Sequence, residues 1–127
     1  MHPEPIEPKL TLLVVDDDAV IRRNAVKYFR GLGWRVIEAR SGETAKALIS
    51  ADCSIDVVIS DVQMSAKQDG VELAKWLNTN HPKVIMILTS GAARLADIPA
   101  SVCAPASTFI KPYRFSMVAA RIEALRH

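Results

Sequence analysis

Four short stretches carry side chains that could do chemistry: Asp16-Asp17-Asp18, Asp61, Thr89-Ser90 and Lys111-Pro112. Each lies at the end of an apolar run, respectively Leu10 to Val15, Ile55 to Ile59, Val84 to Leu88 and Thr108 to Ile110. If those runs are strands of one parallel sheet, three or four acids, a hydroxyl and an ammonium converge on one rim. Carboxylates crowded on an apolar rim repel one another and bind protons unless a cation relieves them. Mg²⁺ suits that role, because it takes oxygen ligands at ~2.0–2.1 Å and combines one or two carboxylates with waters and a phosphate oxygen. The same ion, with Lys111 and Thr89, would neutralise the equatorial oxygens of a phosphoryl group in transfer. Asp61 is then a candidate nucleophile that needs no general base, since a carboxylate is already ionised at neutral pH. Taken singly, the pieces have ordinary explanations: Asp18 as a helix N-cap, Lys-Pro as a turn, Thr-Ser-Gly as the start of a loop. Their occurrence at successive strand ends of one short chain is what points to a site.

The elements that must position these groups are legible as an alternation. A fifth apolar run, Trp34 to Ile37, falls between the first two, and three of the five runs are unbroken and rich in Val, Ile and Leu. That is the pattern of parallel strands covered on both faces. Between them, Ile21, Ala25, Tyr28 and Leu32 recur at helical spacing until Gly31-Leu32-Gly33 closes the segment. Ser41 caps a second helix with Ala45, Leu48 and Ile49 inward, and a third runs from about Gly70 to Asn78 with Val71, Ala74 and Leu77 inward. Pro99 and Pro105 interrupt the fourth connection, which predicts a short or distorted helix there, and the last helix aligns Phe115, Val118, Ala119, Ile122 and Leu125. Five strands and about five helices in strict alternation predict an α/β domain whose ligands bind outside the carboxyl ends of the strands.

Composition bounds the rest. The 127 residues are 50% hydrophobic and 24% charged with a formal net charge of +2, which fits one packed domain and gives no basic face for nucleic acid. Prolines 3, 5 and 8 predict an extended arm over residues 1–9 ahead of a single domain at 10–127. No apolar run approaches the ~20 residues that span a bilayer, so a soluble, cytoplasmic protein without membrane contact is expected. Cys53 and Cys103 stand in no metal-binding spacing and read as reduced thiols. His2, His81 and His127 read as solvated, Trp34 and Trp76 as packing or partner-facing residues, and Arg22-Arg23 as a wet helix face.

The chain resembles the receiver domain of two-component response regulators from about Leu10 to Leu125. The matching pieces are Val14-Val15-Asp16-Asp17-Asp18, Ile59-Ser60-Asp61-Val62-Gln63-Met64, Asp69-Gly70, Leu88-Thr89-Ser90-Gly91 and Ile110-Lys111-Pro112-Tyr113. The resemblance implies a flavodoxin-like, CheY-like fold with strand order 2-1-3-4-5, an order for which a member of this family is a standing example. It implies that Asp61 accepts phosphate from a histidine kinase or histidine phosphotransfer protein. Mg²⁺ would be held by Asp17, Asp61 and the backbone carbonyl of Gln63, with Asp16 acting through water. Thr89 would bond the phosphoryl group and Lys111 would pair with it, after a peptide before Pro112 that is usually cis in such proteins. Gln63 and Gly91 fall where the family adjusts phosphoryl lifetime, and Ser90, Thr108, Phe109 and Pro112 fall in its switch region. A stand-alone receiver, monomeric or weakly dimeric, is the expectation: a phosphorylation switch or relay that catalyses its own transfer and autodephosphorylation and is no conventional turnover enzyme. An unidentified downstream protein would read it, on the region of the fourth helix, fifth strand and fifth helix that includes Arg94, Tyr113 and Arg114.

Three departures from the family pattern stand out. Ser65 replaces the usual Pro, and Ala66-Lys67-Gln68 adds a residue before Asp69-Gly70. The family's switch aromatic lies three residues before the lysine, where this chain has Thr108, with Phe109 one place later. The prolines around the fourth helix resemble a subset of receivers in which that helix is reduced. Two other classes share parts of this pattern. A phosphatase of the haloacid dehalogenase type would use Asp16 as nucleophile and Asp18 as acid/base, but it needs an acidic pair after the lysine, where only Glu123 remains. A degenerate receiver serving only as a binding module is opposed by intact Asp17, Asp61, Thr89 and Lys111.

Overall fold

Strands β1 (Thr11–Val15), β2 (Arg35–Ala39), β3 (Val57–Asp61), β4 (Ile85–Ser90) and β5 (Thr108–Ile110) alternate with helices α1 (Ala19–Gly31), α2 (Gly42–Ala51), α3 (Asp69–Asn80), α4 (Ala92–Ala96) and α5 (Phe115–Leu125). A single 3-10 turn, Pro105–Ser107, leads into β5. The structure, a computed structural model, describes residues 9–64 and 69–126; the arm at 1–8, the Ser65–Gln68 departure and His127 lie outside them. The sheet is parallel throughout in the order β2-β1-β3-β4-β5. The winding therefore reverses between β1 and β3, and the crevice beyond their carboxyl ends is where this class of sheet binds ligands.

Period-two alternation divides the strands between two cores. Leu13, Val15, Val58 and Leu88 pack with Ala45 and Ile49 of α2 and with Leu73, Ala74 and Leu77 of α3. Leu12, Val14, Ile59 and Ile87 pack with Ala25, Val26 and Phe29 of α1 and with Val118, Ala119 and Ile122 of α5. The stripe on α1 differs from the one expected from Ile21, Ala25, Tyr28 and Leu32. Phe29 is fully buried and stacks on Trp34 at 5.3 Å between ring centroids, whereas Leu32 is 41% exposed. The helix stops at Gly31, Leu32 becomes its C-cap, and Gly33 at φ +86° turns the chain away before Leu32 can face the sheet. Leu125, in the last turn of α5, is likewise exposed. Trp34 is a packing residue, and His81 is half-buried against the Trp76 ring rather than solvated.

Local chemistry sets the helix starts near the rim. Asp18 caps α1, its Oδ1 accepting from the amides of Val20 at 2.9 Å and Ile21 at 3.1 Å. Ser41 caps α2 through the Thr44 amide. The first turn of α3 presses on the end of β3: the Gly70 amide donates to the Val62 carbonyl at 3.0 Å. A Cβ on Gly70 would strike the Asp61 carbonyl oxygen and lie 2.7 Å from Val62 Cα, so this close approach requires glycine. Helix α4 has only five residues and buries none of them, in line with the short fourth helix expected from Pro99 and Pro105.

Candidate functional site

Asp16 follows β1 directly. Its amide donates to the Ala39 carbonyl at 3.1 Å, which continues the β1–β2 ladder one residue further and fixes where the acidic loop begins. Its Oδ1 accepts from the Asp18 amide at 2.9 Å, and the side chain is buried. Asp61 ends β3, and the Gln63 amide reaches back to its Oδ1 at 3.4 Å. Asp16, Asp17 and Asp61 each bring a carboxylate oxygen to within 4.8 Å of the others. Lys111 follows β5, held by a bond from its amide to the Ser90 carbonyl at 2.9 Å. Its Nζ lies 3.0 Å from Asp61 Oδ2 and 3.6 Å from Asp16 Oδ2.

Three carboxylates facing one ammonium leave the cluster short of positive charge. Burial raises the Asp16 carboxyl above its ordinary range; the Asp18 amide and Lys111 pull it down by less, and Asp61 and Asp17 push it further up. Burial works against the Lys111 ammonium, but the hydrogen bond to Asp61 and the charges of Asp16 and Asp61 outweigh it, and its pKa is raised. Lys111 therefore stays charged at neutral pH. An all-oxygen donor set without His or Cys, around a carboxylate that resists ionisation, fits a hard divalent cation such as Mg²⁺.

Thr89, paired in register with Asp61 across β3–β4, is buried, and its carbonyl accepts from the Val62 amide. Alternation puts its side chain on the face of Ile87, the face covered by α1 and α5. Ser90, also buried, points to the other face, and Gly91 is the exposed N-cap of α4. The Lys111–Pro112 peptide is cis, as the resemblance implies. Thr108 is drawn away from the rim, its hydroxyl donating to the Pro105 carbonyl at 2.7 Å, while Phe109 pairs in register with Thr89 and packs with the α1–α5 core. The structure thus brings Asp16, Asp17, Asp61, Gln63, Thr89 and Lys111 together, and it leaves Thr108 out of the cluster.

Two contributors were not read from the sequence. Arg22 belongs to no wet face: its Nη1 donates to the Asp16 carbonyl at 2.8 Å and its Nε pairs with Glu38 Oε1 at 2.8 Å, clamping the acidic loop to β2. The reason is distance along the chain, since Glu38 reaches Arg22 only once β2 pairs with β1. The second is Tyr113, a half-buried residue packed beside the site, whose phenol pKa is raised by burial and by the Asp16 and Asp61 charges against the pull of Lys111. Its place in Lys111-Pro112-Tyr113 was the available signal.

Residues 12–123 match the response regulator receiver domain. Among curated relatives, the chain is 30% identical over 119 residues to the sensor kinase CckA of Brucella abortus, covering 91% of this chain and 12% of that protein. It is 30% identical over 114 residues to the transcriptional regulatory protein CpxR of Escherichia coli, covering 90% and 48%. The chain thus spans about half or less of the length of these relatives. Its fold is shared with the chemotaxis response regulator CheY4 of Vibrio cholerae, at TM-score 0.77 and 21% identity over 91% of this chain and 98% of that one.

Proposed function

The chain belongs to the response regulator receiver domain family of two-component systems, and from that premise we propose that Asp61 is its phosphoacceptor, charged by a histidine kinase or histidine phosphotransfer protein. The observation that carries this reading is the approach of the Asp16, Asp17 and Asp61 carboxylates to within 4.8 Å of one another, with Lys111 Nζ 3.0 Å from Asp61. The relatives, by name a sensor kinase and a transcriptional regulatory protein, support a place in signal transduction.

An Asp61 carboxylate oxygen attacks phosphorus, the new P–O bond forms as the P–N bond of the phosphohistidine breaks, and the imidazole nitrogen leaves with the bonding pair. Lys111 pairs with the phosphoryl oxygens and with the carboxylate it already touches, and the Thr89 hydroxyl donates to a phosphoryl oxygen. Asp17, Asp61 and the Gln63 carbonyl would hold Mg²⁺, with Asp16 acting through water, and the ion would screen the charge gathered between the acids and the phosphoryl group. Water attacking the same phosphorus later cleaves that P–O bond, releases inorganic phosphate and restores the carboxylate, so the chain resets itself as a switch. Phosphorylation adds about −1.5 to −2 charge and three acceptor oxygens at the rim, enough to draw Thr89 and the Ser90-Gly91 loop inward.

The test is intact mass after incubation with Mg²⁺ and acetyl phosphate. One phosphoryl adduct is expected, absent in Asp61→Asn and in samples treated with a metal chelator. An adduct that persists in Asp61→Asn would refute the assignment, and steady phosphatase turnover that Asp16→Asn abolishes would favour the hydrolase.

A further inference from the structure

The peptide that joins Asp61 to Val62 is held at both of its polar ends. Its N–H donates to the Thr89 carbonyl at 2.9 Å, which carries the β3–β4 pairing past the last strand residue. Its carbonyl accepts from the Ser60 hydroxyl at 2.9 Å. The first turn of α3 closes the open side, where Gly70 comes so near this carbonyl that no Cβ fits between them. Ser60 is fully buried, and alternation along β3 puts its side chain with that of Val58 on the face of α2 and α3. A hydroxyl at such a position has lost its bonds to water and must find a partner inside the protein. The partner it has is the carbonyl of the residue that carries the acceptor carboxylate.

We infer that Ser60 is a positioning residue for phosphoryl transfer: by holding the Asp61 carbonyl it keeps the Asp61 carboxylate aimed at Lys111 and at the incoming phosphorus. The inference rests on Asp61 being the phosphoacceptor. A peptide unit is planar, so the Ser60 hydroxyl and the Thr89 carbonyl grip opposite edges of one rigid plate. With the Ser60 bond gone, the plate can rock about the Thr89 bond, and the direction of the Asp61 Cα–Cβ bond rocks with it. Aspartate has only χ1 and χ2 with which to recover, and both prefer set values. The contacts that define the carboxylate depend on this backbone: Oδ2 lies 3.0 Å from Lys111 Nζ, and Oδ1 accepts from the Gln63 amide at 3.4 Å. Attack on phosphorus is sensitive to such aim, since a misplacement of about 1 Å can cost about 10²-fold in rate. Ser60 itself touches neither the phosphoryl group nor the acids' oxygens and acts through the main chain.

The test compares Ser60→Ala, which removes one oxygen from the core, with Ile49→Val, a buried substitution on α2 that lowers stability away from the rim. Adduct formation is followed by intact mass at saturating Mg²⁺ and acetyl phosphate, at a temperature where circular dichroism shows every variant folded. The rate is expected to fall about threefold or more in Ser60→Ala and to keep the parental value in Ile49→Val. Ser60→Cys, of similar size but a weaker donor, should fall between parent and Ser60→Ala. Without metal or phosphodonor, deuterium exchange at the Val62 amide should quicken in Ser60→Ala relative to the Leu13 amide in the middle of β1. Parental rates in Ser60→Ala, or Val62 and Leu13 amides that quicken together, would overturn the role of Ser60 and leave Asp61 as the acceptor. A parent chain that forms no adduct would overturn the phosphoacceptor reading, and this inference with it.

Discussion

Asp16 and Arg22 show how single residues set the state of the rim. Asp16 is an acid whose folded pKa is raised by burial, so at neutral pH its charge opposes folding, and metal-free stability is gained as pH falls through that raised value. Asp16→Asn removes the charge and keeps an oxygen for the Asp18 amide. Its melting temperature without metal is expected to rise by a few degrees at pH 7, while the further rise on adding Mg²⁺ shrinks; calorimetry with and without the ion reads both. Arg22 acts from outside the cluster as a positioning residue. Arg22→Met should cost about 1.5–3 kcal/mol, the range for hydrogen bonds to charged groups, and weaken Mg²⁺ binding. Arg22→Lys should not rescue it, because one ammonium cannot reproduce a fork that holds the Asp16 carbonyl and Glu38 together. Denaturant titration together with Mg²⁺ titration separates the two effects.

At the level of elements, the rim depends on how α1 and α3 begin. Asp18→Ala removes the acceptor of two amides and should destabilise the chain by about 1 kcal/mol in urea titration, with the phosphoryl adduct still forming. Gly70→Ala is a different case. The added methyl meets backbone atoms of Asp61 and Val62, so α3 or the end of β3 must shift, at about 1–3 kcal/mol by comparison with overpacked sites. Because the atom struck belongs to Asp61 itself, this substitution is also expected to slow phosphorylation by acetyl phosphate, measured as the rate of adduct formation by mass.

The whole molecule is two cores sharing one sheet, and its stability is tested at Phe29, which joins α1 to Trp34 and Phe115. Phe29→Ala is expected to cost about 3–5 kcal/mol in chemical denaturation, the range for a buried aromatic. The thiols report the same integrity. Cys53 is exposed and Cys103 is buried, so a thiol reagent should titrate one cysteine in the native chain and both in denaturant. Burial raises the Cys103 thiol above its ordinary 9.0. The unfolded chain therefore releases this proton first, and the stability linked to it falls as pH rises beyond that value. No helix among the described residues is long and apolar enough to cross a membrane.

By itself the sequence determined the alternation of strands and helices, the acids and the lysine at strand ends, and the short α4. Each of these is written in local pattern: apolar runs, capping residues, prolines, and charged groups where a strand must stop. Tertiary structure alone decided that Phe29 and not Leu32 faces the sheet, that Arg22 clamps the Asp16 loop to Glu38, and that Tyr113 packs against Phe109 and Phe115. Those outcomes depend on which strands become neighbours and where a helix ends in space. The packing of Phe29 on Trp34 and Phe115 and the pairing of Arg22 with Glu38 arise only once separate elements meet, and that proximity has no periodic trace in the chain.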